Sequence, residues 1–223
     1  MHSRLGRTLV VSLLALLPAA AQAGPPLICF PMAIGDAPSL AWGSGSGWNT
    51  PRSDYDRARL AEDTPSLLGP QTPVLVRMET LRRAVIYASG DNAAARRLFD
   101  ALRARAVSAR GRKVIPLAQF DLGYAVEAYR QTRHMPDRLL SAEPPEDGYA
   151  LVRQALAARG PDPEMEYAAA LITCDRARRG ASDEHLRAAL AGVREGSDLD
   201  RTLAAHQGLW GDRLQAFRTA AAR

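Results

Sequence analysis

The sequence predicts an all-α protein: an irregular helical bundle or short α-hairpin solenoid of about seven or eight helices over residues 53–223, behind an irregular Pro/Gly-rich arm over 24–52. Three observations carry that expectation. Apolar residues recur three and four apart from Leu75 to Phe217, the period of one helix face. Caps, glycines and prolines interrupt the pattern at intervals short enough for antiparallel neighbours. The β-branched residues are scattered, and polar–apolar alternation never lasts more than a few positions.

Taken in order, Pro25, Pro26, Pro31 and Pro38 forbid a long helix in the arm, and the glycines from Gly43 to Gly47 read as a flexible hinge. The arm also holds Phe30, Trp42 and Trp48, more aromatic surface than a free linker exposes, so it is expected to pack on the helices or to form a binding surface. Ser53 and Asp56 start a short helix to about Leu60 or beyond. Thr72 followed by Pro73 predicts an N-cap with Pro at the first helical position, and Leu75, Met78, Leu81, Val85 and Ala88 then line one amphipathic face. Gly90, Asp91 and Asn92 make a turn and cap before Ala95, Leu98, Phe99, Leu102 and Ala106.

The stretch from Pro116 to about His134 is apolar on two sides and reads as a helix buried between neighbours, stopped by Pro136. Tyr149, Val152 and Leu156 mark another helix, ended by Gly160. Asp162 and Pro163 cap the next, which Gly180 ends. Ser182, Asp183 and Glu184 open a further helix, and Gly196 with Ser197 restarts the chain toward Leu199, Trp210 and Phe217.

Residues 1–23 have the build of a cleavable secretion signal. Arg4 and Arg7 form a basic start, Leu9 to Leu17 is a short apolar run, and Ala21 to Ala23 offers a small-x-small cleavage site. A membrane span needs roughly 20 apolar residues, about twice this run. The expected product is therefore an exported chain, periplasmic or extracellular, cut after Ala23 and without a transmembrane segment. Cleavage lowers the net charge from +5 to +3, and Lys113 is the only lysine, so a general nucleic-acid binder is not indicated. Cys29 and Cys174, the only cysteines, are candidates for a disulfide in an oxidising compartment.

Phe120, Gly123, Tyr124 and Ala128 resemble the spacing of the first helix of a tetratricopeptide-type unit. Thr72 to Arg83 (TPVLVRMETLRR), with the arm around Cys29, is similar to uncharacterised exported bacterial helical proteins. The resemblance implies stacked α-hairpins and no particular activity.

No motif predicts a catalytic residue, a cofactor or a metal. Gly43 to Gly47 lacks the Lys and Ser/Thr of a phosphate loop. His134, His185 and His206 show no ligand spacing, and the first two read as surface or capping residues. Asp54 and Asp56, Asp162 with Glu164 and Glu166, and Asp198 with Asp200 fall in first turns of helices, where negative charge complements the macrodipole. The candidate binding surface comprises Trp42 and Trp48 together with Arg96, Arg97, Arg103, Arg105, Arg110, Arg112 and Lys113.

The expected function is non-catalytic: binding of another macromolecule, a protein or an envelope polymer. The alternatives are an envelope hydrolase with acids converging in a cleft, and attachment to an anionic surface through the Arg-rich helix end. Convergent carboxylates would favour the hydrolase, and an open groove lined by tryptophan or tyrosine would favour binding.

Overall fold

The computed structural model describes residues 24–45, 47–107, 115–135, 143–175 and 177–221. The segment expected to be a secretion signal, the expected stop at Pro136, and Arg110, Arg112 and Lys113 lie outside the described residues. The chain is an all-α bundle, and among the described residues no strand forms. Eleven α-helices occur there: α1 (Pro26–Cys29), α2 (Leu60–Leu67), α3 (Val74–Ala88), α4 (Asn92–Ala106), α5 (Pro116–Gln131), α6 (Gly148–Arg159), α7 (Pro163–Ile172), α8 (Arg179–Ala191), α9 (Asp198–Ala205), α10 (Gln207–Trp210) and α11 (Asp212–Ala221). The excess over seven or eight arises at the two ends. The arm contains one helical turn, and the C-terminal segment breaks twice, at His206 and at Gly211, whose φ of +54° suits glycine.

Several boundaries follow the expected caps. Asp91 accepts from the N–H groups of Ala93 and Ala94, Asp162 from those of Glu164 and Met165, and Ser197 from that of Asp200. Others differ. Asp56, not Ser53, caps a 3-10 turn (Arg57–Arg59) that leads into α2, which continues to Leu67. Pro73 is the N-cap of α3, and the Thr72 hydroxyl turns back to donate to Leu67 O. The missing cap comes from another helix, since Glu164 of α7 accepts from Leu75 N at 3.0 Å. Gly180 does not end α7. That helix stops at Ile172, and α8 has already begun at Arg179, ahead of Ser182 to Glu184. Ser182 is instead buried, donating to Ala170 O.

Three helices occupy the centre. α3, α5 and α7 touch one another, and α1 rests on all three. α4, α6 and α8 follow them in the chain, and α6 and α8 pack closely on α5 and α7. α3 is no amphipathic surface helix: every residue except Arg83 is buried, including Arg77, Glu79, Thr80 and Arg82. α5 and α6 approach so closely at Gly123 and Gly148 that a Cβ at 123 would lie 2.6 Å from Gly148 O. Alanine in mid-helix ordinarily gains roughly 1 kcal/mol over glycine, but overpacking here costs about 1–3 kcal/mol. Gly123→Ala is therefore expected to lower the urea midpoint. Gly180→Ala, where a Cβ meets open space, should leave it unchanged or raise it; equal behaviour of the two variants refutes the tight crossing.

The arm is built into this core. Leu27, Ile28, Met32, Ile34 and Leu40 belong to the same apolar cluster as α3, α5 and α7. Its backbone polar groups are largely met by side chains of the helices. Gln131 accepts from Leu27 N (2.7 Å), Glu79 from Met32 N (3.1 Å) and Thr202 from Ala33 N (3.0 Å). Tyr87 donates to Ala41 O and accepts from Arg52 N, and Arg83 donates to Leu40 O. The glycine run is a tied loop, with Gly43 N donating to Thr50 O at 2.8 Å.

Candidate functional site

A cavity of about 790 Å³ opens where the C-terminal ends of α1, α5 and α7 meet. Its wall includes Cys29, Trp48, Glu127, Arg130, Cys174 and Arg178, with Arg133 and His134 exposed on their side of it. Basic residues suit this end of the helices, whose last carbonyls point outward. Arg178 donates to Ile172 O (3.1 Å), and Arg130 donates to Pro144 O and Glu146 O.

The two carboxylates of the wall, Glu127 and Asp175, are each held by an arginine of the same wall. Glu127 accepts from Arg130 at 2.7 Å, and Asp175 from Arg178 at 2.8 Å. Burial pushes the Cys29 thiol up to about 11 against the pull of Arg82. Burial likewise raises Cys174, with Arg213 partly offsetting it. Both thiols are thus protonated near neutral pH, which is unfavourable for nucleophilic catalysis. Both cysteines are unbonded in this structure. Among the described residues, no cluster of three or more His, Cys, Asp or Glu side chains is arranged to hold a metal ion, and no helix is long and apolar enough to cross a membrane.

The candidate surface residues are dispersed. Trp48 reaches the cavity, but Trp42 is packed between the Arg82 and Arg83 guanidiniums and the edge of Tyr87. Arg96 and Arg97 are exposed on α4. Arg103 binds Asp100 and Glu146, and Arg105 donates to the Pro65 and Leu68 carbonyls at the end of α2. The last two therefore serve internal contacts. The first-turn acids also bind locally or across helices: Asp54 pairs with Arg52, Asp198 with Arg201 and Asp200 with Arg218.

Sequence reasoning missed the buried polar groups. Arg82 grips both oxygens of Glu79 at 2.8 Å and donates from Nη1 to Ile28 O and Trp48 O. Arg77 contacts Asp121 at 2.7 Å and donates to the Thr72, Leu68 and Gly69 carbonyls. His206 is buried against Pro31 O, 2.9 Å from Nε2, so that nitrogen carries the hydrogen and Nδ1 accepts from Tyr167 Oη at 2.6 Å. Burial pushes its pKa down. Glu166, His185 and Tyr149 form a second chain, 2.6 Å and 2.8 Å long in its two links, joining α7, α8 and α6. None of these three lines the cavity. A sequence signal existed only for Thr72 to Arg83, where charges fall at helix positions between apolar ones.

A second cavity, of about 410 Å³, lies at the opposite end, at the first turns of α3, α5, α7 and α9. Glu164 is at its wall and is already engaged with Leu75 N. Comparison with protein families, with curated proteins and with solved structures gives no match.

Proposed function

We propose that this chain is an exported, non-catalytic helical protein that binds an anionic segment of another macromolecule, a protein or an envelope polymer, at the cavity bounded by α1, α5 and α7. The observation that carries the reading is the charge state of that wall. Glu127 and Asp175 are each neutralised by their own arginine, while Arg133 and His134 remain exposed on a wall that also includes Trp48. A volume of about 790 Å³ is also in the range of ordinary ligand sites. Paired carboxylates free to share a water, which hydrolysis would need, are not what this wall offers.

The test is cross-linked capture from envelope extracts by the wild-type chain and by Trp48→Ala and Arg133→Glu. Trp48→Ala keeps the carbonyl that Arg82 uses, so the fold is expected to survive. Each variant should recover about tenfold less of the partner, the equivalent of one good contact. Equal recovery by wild type and both variants overturns the reading.

A further inference from the structure

Cys29 and Cys174 are 145 positions apart and are the only thiols in the chain, yet they line the same cavity. Cys29 is the last residue of α1, which packs directly on α7. Cys174 lies two residues past the end of α7. On one side the backbone is fixed: Gln131 holds Leu27 N and Arg82 holds Ile28 O. Gly24 lies so close to Cys29 that a Cβ there would come 2.5 Å from Sγ, and both residues line the cavity. On the other side, Cys174 begins the turn into α8, where adjustment need not disturb a helix.

We infer that Cys29 and Cys174 form a redox modification site, oxidised to a disulfide that staples the first turn of the arm to the end of α7. The inference rests on the export proposed above, because such a bond persists in an oxidising compartment. The oxidant is a disulfide, either of a small molecule or of a thiol–disulfide oxidoreductase. One cysteine thiolate attacks the oxidant's disulfide, releasing one thiol and leaving a mixed disulfide. The second cysteine displaces the other half as a thiol. Two electrons and two protons pass to the oxidant, and the S–S bond forms. Because burial keeps both thiols protonated, exchange is slow at neutral pH and accelerates with alkalinity.

The experiment takes the full chain recovered after export, fully reduces it without unfolding, and exposes it to oxidised glutathione at about pH 8.5. The free-thiol count should fall from two to zero, and a non-reducing peptide map should show the peptides bearing Cys29 and Cys174 joined. The melting temperature should rise by about 10 °C over the reduced form. Cys29→Ser and Cys174→Ser should instead each retain a single glutathione adduct. Glutathione on both cysteines of the wild type, or two persistent free thiols, overturns the site. The bridge is read without any partner, so its failure is separable from failure of capture.

Discussion

Arg82→Met is expected to remove about 4 kcal/mol of stability, the usual loss when one member of a buried ion pair is deleted. Glu79 and Arg82 are each 1% exposed at their side chains. With Arg82 gone, Glu79 keeps only Arg83 and Met32 N as partners, and the carbonyls of Ile28 and Trp48 lose their donor. For a domain of this size the melting temperature should fall by roughly 10 °C. Limited proteolysis should find new cuts within residues 30–52, because both lost carbonyl bonds hold the arm. Arg82→Lys should recover little, since an ammonium cannot reproduce a planar fork on a carboxylate and two further acceptors. An arm that stays protected, with an unchanged melting temperature, would show that the network is not what seats it.

Acid should strengthen the Arg77–Asp121 region rather than weaken it. Asp121 is fully buried, and its Oδ1 has no hydrogen-bond partner. Burial raises its carboxyl to about 6 in spite of Arg77 and, more weakly, Arg105. A folded pKa above the unfolded value, about 3.9, gives stability that is complete below pH 4 and is lost as pH rises through 6. The size is on the order of 2–3 kcal/mol. His206 acts with the opposite sign. Its lowered pKa contributes stability present above about pH 6.5 that falls away as the pH drops below it. Urea unfolding of wild type and Asp121→Asn at pH 7.5 and 4.5 separates the two. The advantage of the wild type over the variant should grow by 2–3 kcal/mol toward acid. A constant or shrinking difference would mean that the pair behaves as an ordinary ion-paired carboxylate.

The fold class was legible because α4, α5, α6 and α7 obey local rules: an Asp or Pro start and apolar residues at helical spacing. The end of α7 was not, because Gly180 looks like a stop only if α7 extends that far. Thr173 closes it earlier, bonding back to Ala169 O. The start of α3 was misread for another reason: its cap, Glu164, is 89 positions away. Of the candidate site, Trp48 and the two cysteines were singled out from the sequence and do meet at one cavity. Glu127, Arg130 and Arg178 were not, since each looks like an ordinary charged residue near a helix end. Arg77, Glu79 and Arg82 escaped for a related reason. A charge in a sequence reads as solvated surface, and only three-dimensional packing reveals that its partner is a buried backbone.

The seating of the arm also fixes an order of events during synthesis. Residues 27–34 are made well before the residues that seat them: Ala33 N bonds to Thr202 and Pro31 O to His206, 169 and 175 positions later. Neither contact can form until the chain has been made as far as Thr202 and His206, and contacts so distant close slowly. In the interval Leu27, Ile28, Met32 and Ile34 have no finished core to enter. The arm must therefore wait undocked while the chain is made as far as His206, and the segment from α9 to His206 finishes its docking.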